Sequence, residues 1–294
     1  MLASVSPRQS VPASYCGRIF GNQFPTSHFV ITESYQTIPN DALARLLRGE
    51  ALAHIVRGYT SPAEGEALAR AFEAINAGRL RLDGVAGLSV GSSHFKQSID
   101  GYLNQAHLGI ADMLRLYNLA GINLEEKTDE SILAALPGEY TFRSAEHSGR
   151  RAPKSRAVAW ADSGGFTLKA HDDLEQTKTP EQDGFEVQRV LSPVAGNFYA
   201  RMPEKGGQLR LWNVLPSPEY KVLNGIQYTG YPYDEAELAE FDFVDIAPNP
   251  GDLVFINGSF PHAVVSWDGQ PTRRIVFNWF AGLLQFSNTV IRWT

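Results

Sequence analysis

Gly165-Phe166-Thr167-Leu168-Lys169-Ala170-His171-Asp172-Asp173 alternates in polarity and then ends on a histidine followed by two acids. Period-two alternation over this length reads as a half-buried β-strand, here spanning 165–170 and delivering the polar triplet to its end. Side chains two apart on extended backbone share a face, so His171 and Asp173 can reach one metal ion while Asp172 points away. Far downstream, Phe260-Pro261-His262 supplies a second histidine. Two histidines and one carboxylate hold non-haem Fe(II) on one face and leave the other coordination positions open.

Outward from this stretch the chain divides by periodicity. From about Ser155 onward, short apolar runs separated by Gly, Pro and Asn predict strands over 156–160, 165–170, 196–201, 208–213, 244–247, 252–256, 263–267 and 273–280. Eight such strands suggest a double-sheet jelly roll, and the several strands between His171 and His262 allow the second histidine to return to the same barrel mouth. The first half reads as helical, with predicted helices over 41–48, 62–76, 95–119 and 125–136. Ser61 is placed as N-cap, Pro62 at the first helical position and Glu64 as capping-box partner; Leu68, Ala71, Phe72 and Ile75 share one face. The run Ala53-His54-Ile55-Val56-Arg57 reads as a strand. The expected class is mainly β with a helical N-terminal part. A single catalytic domain is expected over 1–294, with 1–150 as mainly helical support and 151–294 as the β core carrying the metal site.

Composition narrows the partners. The 294 residues are 43% hydrophobic and 20% charged, enough for a sizeable core. A net charge of −6 argues against a nucleic-acid backbone as partner and leaves a small-molecule substrate. No span of about 18 apolar residues and no apolar leader region is present, so neither a membrane helix nor a signal peptide is expected. Cys16 is the only cysteine, which excludes an intramolecular disulfide and a thiolate zinc site and points to a reduced compartment, the cytoplasm. The helical half offers a face for a homodimer.

Other polar and aromatic residues bear on the site. After the turn Asp268-Gly269-Gln270-Pro271, Arg273 and Arg274 open a strand that pairs back toward His262. Adjacent strand residues face opposite ways, so one guanidinium must enter the barrel, where it can clamp a carboxylate bidentately. Parity with Phe277 and Trp279 selects Arg273, with Arg274 as the alternative. Trp160, Phe166 and Trp212 are candidate pocket residues, and the Tyr- and Pro-rich stretch 216–240 is a long loop able to serve as a lid. His28, His54, His94, His107 and His147 have no partner at ligand spacing and read as structural.

The region from Arg156 to Phe280 resembles the Fe(II)/2-oxoglutarate-dependent oxygenases. The likeness is carried by His171-x-Asp173, by Gly206-Gly207-Gln208-Leu209, by Pro250-Gly251-Asp252-Leu253-Val254-Phe255 ahead of His262, and by Arg273 beyond it. It implies a double-stranded β-helix with helices on one side, and Fe(II), 2-oxoglutarate and O2 as cofactor and co-substrates. His171, Asp173 and His262 would be the metal ligands and Arg273 the 2-oxoglutarate anchor. The layout is similar to the small-molecule branch containing N-succinyl amino acid hydroxylases and indole-alkaloid halogenases. Those halogenases carry glycine where Asp173 stands, which frees a metal position for chloride, so the resemblance implies hydroxylation here. The competing readings are a Zn or Mn hydrolase or isomerase on the same barrel, and a non-catalytic jelly-roll binding module.

Overall fold

The computed structural model describes residues 18–75, 79–80, 87–162, 164–267 and 273–294. Cys16, the end of the second helix near Asn76 and the turn from Asp268 to Pro271 lie outside the described residues. Strands and α-helices of four residues or more run in this order: β1 Ile31–Tyr35, α1 Ala42–Leu47, β2 Ala53–Arg57, α2 Pro62–Ala74, β3 Gly87–Val90, α3 Ile99–Ala120, α4 Leu124–Ala135 and β4 Thr141–Ser144. There follow β5 Arg156–Trp160, β6 Phe166–His171, β7 Val194–Arg201, β8 Leu209–Trp212, α5 Pro218–Leu223, α6 Glu235–Leu238, β9 Phe243–Ile246, β10 Leu253–Asn257, β11 His262–Val265, β12 Arg274–Leu283 and β13 Thr289–Trp293.

Two sheets face each other. The smaller has four strands in the order β6-β11-β8-β9. The larger has ten, running β1-β2-β10-β7-β12-β5-β3 and on to the short strand Arg79–Leu80, with β13 pairing β12 and β4 pairing β13. Its centre is buried on both sides. Ile275, Phe277, Trp279 and Ala281 of β12 join one apolar cluster, with Phe198 of β7 and Phe255 of β10. Val276 and Phe280 join another that also holds Tyr199, Val254, Leu209, Leu211 and Val264 from both sheets. The first cluster is completed by Leu68, Ala71, Phe72 and Ile75, with Met113 and Leu116 of α3, so α2 and α3 pack on the outer face of the large sheet.

Local chemistry sets the helix ends. Ser61 accepts from the Glu64 backbone N–H at 3.2 Å while the Glu64 carboxylate accepts from Ser61 N–H at 2.8 Å, closing the expected capping box. The third helix begins at Ile99, later than periodicity placed it, because Ser98 caps it by accepting from Gly101 N–H. Its apolar stripe is also narrower than expected: Ile99, Leu103, Met113 and Tyr117 are buried, but Ile110 and Leu114 are exposed. The first 150 residues supply strands as well as helices, β2 lying antiparallel to β10 and β3 antiparallel to β5. Among the described residues, no helix is long and apolar enough to cross a membrane.

A third cluster covers the outside of the small sheet. Residues 216–240, read from sequence as a loop, form α5 and α6, and bury Tyr220, Tyr233 and Leu238 against Ala170, Trp212 and Ala263.

Candidate metal centre

The small sheet brings the two histidines together. His171 at the end of β6 and His262 at the start of β11 are direct ladder partners, and their ring centroids lie 4.2 Å apart. Each ring is oriented by its own backbone: Nδ1–H of His171 donates to Lys169 C=O at 2.9 Å, and Nδ1–H of His262 donates to Phe260 C=O at 2.9 Å. A carbonyl can only accept, so both rings present an unprotonated Nε2 to the centre when neutral.

Asp173 stands just past β6, where its backbone N–H donates to Gly258 C=O at 2.7 Å. A Cβ on Gly258 would sit 2.5 Å from Asp173 Oδ2, so only glycine leaves room for this carboxylate. Asp173 Oδ1 lies 3.8 Å from His171 Nε2 and Oδ2 lies 3.5 Å from His262 Nε2. All three side chains are buried, and one ligand atom from each falls within 4.8 Å of the others. Burial, offset in part by His262 and reinforced by Asp172, pushes the Asp173 carboxyl up to about 6. Its Oδ2 atom has no hydrogen-bond partner. A buried carboxylate oxygen without a donor, facing two oriented imidazole nitrogens, is a donor set that a divalent cation completes. Among the described residues this is the only such group of three.

Asp172 faces the other way, as strand parity required. Its Oδ2 accepts from Tyr233 Oη–H at 2.6 Å and lies 3.3 Å from Lys221 Nζ, and its Oδ1 accepts from Glu175 N–H at 2.9 Å. Lys221, also buried, reaches Glu175 at 3.1 Å. This cluster ties the α5–α6 segment to the backbone between His171 and Asp173.

A cavity of about 90 Å³ lies between the sheets and contains the triad. Arg274, only 3% exposed, enters it from β12. Its Nε–H donates to Gly207 C=O at 3.1 Å and its Nη2–H to Tyr199 Oη at 3.2 Å, while the guanidinium stands over Trp160 at 5.4 Å. Arg273, expected inside, is exposed and precedes the strand. The correction has a simple cause: Phe277 and Trp279, whose parity guided the choice, face the helices and not the cavity.

The aromatic candidates divide similarly. Trp160 lines the cavity; Trp212 and Phe166 pack against each other edge-on in or against the cluster outside the small sheet. The ladder register of β6 shifts between Phe166 and Leu168, so Leu168 lines the cavity although Phe166, two residues before it, does not. Sequence reasoning missed Arg156, Asn197, Asn278 and Gln176, all cavity-lining, while Tyr231, from the stretch read as a lid, lines the cavity too. Arg156 shares parity with Trp160 on β5, a signal that was available. The remaining histidines are structural where contacts are described: buried His54 hydrogen-bonds Thr32 and Ser34, and buried His94 meets Gln182.

A family model for the carrier-protein-independent halogenase WelO5 matches residues 40–294. The chain belongs to this family. It is also 27% identical over 253 residues to the L-isoleucine 3(1)-dioxygenase of Pantoea ananatis (strain AJ13355), across 82% of this chain and 83% of the relative. In fold it is similar to the crystal structure of an N-substituted L-amino acid dioxygenase from Burkholderia ambifaria AMMD, with a TM-score of 0.54 and 13% identity over 87% of this chain and 91% of the other. With the buried His-Asp-His set, these relationships identify the family member as a non-haem iron, 2-oxoglutarate-dependent oxygenase using Fe(II), 2-oxoglutarate and O2.

Proposed function

We propose that the enzyme hydroxylates an unactivated C–H bond of an amino acid or a close derivative, with His171, Asp173 and His262 as its iron ligands and Arg274 as its 2-oxoglutarate anchor. The carrying observation is Asp173, a buried carboxylate with an oxygen that lacks any hydrogen bond inside the triad. Bound iron, with 2-oxoglutarate and dioxygen, supplies the oxidant, and 2-oxoglutarate leaves as succinate and carbon dioxide. Arg274 meets the distal carboxylate of 2-oxoglutarate, held at the right angle by Gly207 and Tyr199. Val158, Leu168, Ile256, Val264 and Val276 keep water from the reacting carbon. The facing sheets serve as the two halves of a double-stranded β-helix.

The dioxygenase names of the two relatives support an amino acid substrate. Hydroxylation is preferred to halogenation, although the family takes its description from a halogenase, because Asp173 fills the position a halide would need. The test is aerobic turnover with Fe(II), 2-oxoglutarate and a panel of L-amino acids and N-acyl amino acids, reading succinate against product mass. Succinate matched by a product one oxygen heavier is expected; full turnover by His262→Ala would overturn the ligand assignment.

A further inference from the structure

We infer that Arg156, Asn278 and Asn197 form a second anion subsite in the cavity, one that holds the carboxylate of the amino acid substrate; the inference rests on the oxygenase reading above. The three residues are consecutive ladder partners across β5, β12 and β7, and all line the cavity on the sheet that faces the metal ligands. The inward positions around them are Val158, Val276, Ala195 and Ile256. A polar row among these apolar neighbours costs desolvation that a valine or leucine there would avoid. A ligand that needs those groups offsets that cost.

The row is built for a planar anion. Arg156 Nε–H donates to Asn278 Oδ1 at 2.9 Å, which orients the guanidinium over the cavity, and the carboxamides of Asn278 and Asn197 carry N–H donors beside it. A guanidinium fork matches a carboxylate bidentately, as an ammonium could not.

Charge balance indicates what the row awaits. Among the described residues lining the cavity, the formally charged ones besides the histidines are Arg156, Arg274 and Asp173. A divalent ion brings the cavity to three net positive charges, and dianionic 2-oxoglutarate cancels two. One positive charge is left, the complement of a single carboxylate. Arg274 and Arg156 enter the cavity from different points: Arg274 pairs across the ladder with Trp160 and Arg156 with Asn278, four positions or about 13 Å apart along the strands.

The experiment uses the full chain loaded anaerobically with Fe(II) and 2-oxoglutarate, whose weak visible absorption band reports co-substrate binding. The proteinogenic L-amino acids and their N-succinyl derivatives are then titrated, each beside the corresponding compound lacking the α-carboxylate, reading perturbation of the band and, in air, succinate release. Acids are expected to act and their decarboxylated counterparts to act far more weakly. Arg156→Met should raise KM for the best acid by about tenfold to a hundredfold, the worth of a charged hydrogen bond, while leaving half-saturation by 2-oxoglutarate in place. Arg156→Lys should recover part of the loss. Asn278→Asp, close in shape but anionic, should shift preference from the acid toward its decarboxylated counterpart, a change that a fold-supporting role would not produce.

Four results would overturn the subsite: an unchanged KM in both Arg156→Met and Asn278→Asp, equal action of the decarboxylated compounds, no response to any acid, or loss of the 2-oxoglutarate band in Arg156→Met, which would assign Arg156 to the co-substrate. Failure of the underlying reading looks different, since the unmodified enzyme would then give no band with Fe(II) and 2-oxoglutarate.

Discussion

Adjacent acids, Asp172 and Asp173, are equally buried and have opposite roles, because one backbone step at the end of β6 turns them to opposite sides. Asp173 holds its Oδ2 without a donor, and Asp172 has its oxygens taken by Tyr233, Glu175 and Lys221. Removing a ligand should exceed the roughly 10–100-fold cost typical of disturbing a ligand's supporting partner. Asp173→Ala is therefore expected to lose more than about a hundredfold in iron-dependent turnover, with chelator-treated protein recovering on Fe(II) addition only in the unmodified chain. Replacing Lys221 by Met strands the buried carboxylate of Asp172 and the half-buried one of Glu175, and should cost about 3–5 kcal/mol of stability, measured by urea unfolding. A loss below about 1 kcal/mol would mean that Tyr233 and the backbone already satisfy Asp172.

At the scale of elements, the start of β12 carries the proposed co-substrate anchor, and Arg274 and the preceding Arg273 make opposite predictions. Arg274→Ala should weaken 2-oxoglutarate half-saturation by more than about a hundredfold, since it breaks a buried pairing worth roughly 3–5 kcal/mol. Arg273→Ala, at an exposed position, should leave it unchanged. Titration of the anaerobic absorption band distinguishes the two. The strand itself was legible in the sequence, as were the capping box at Ser61 and the strand Ala53–Arg57, and the spacing that singled out His171, Asp173 and His262 chose three side chains that the fold gathers into one buried group. Which face of β12 looks inward was not. A strand covered by helices on one side and by a second sheet on the other carries apolar residues on both faces, so Phe277 and Trp279 gave no directional signal. Phe166 misled for another reason, because the register shift that turns it out of the cavity is a backbone irregularity without a sequence mark. Arg156, Asn197 and Asn278 stayed hidden because their meaning lies in ladder partnership between strands far apart in the chain.

Across the whole molecule, His94 links acidity to stability. It is enclosed by the rings of Tyr102, Phe280 and Trp293, and burial lowers its imidazole from 6.5 to about 4. Between those values the unfolded chain takes up a proton that the native state refuses, so stability present above pH 6.5 is lost as pH falls toward about 4. The loss should be on the order of 3 kcal/mol, visible in urea midpoints at successive pH values and flattened in His94→Gln. Long-range pairing has a different consequence, one for synthesis. Val56 of β2 finds its antiparallel partner in Leu253, and the apolar face of α2 rests on β7, which begins at Val194. At ribosomal speeds of about 5–20 residues per second, roughly 10–40 s separate the emergence of Val56 from that of Leu253. Folding dominated by such non-local contacts is slow, and for much of that interval β2 and the sheet-facing side of α2 lack the strands that cover them. The yield of active enzyme in a host should therefore respond to chaperone supply and translation rate more than to the equilibrium stability of the finished protein.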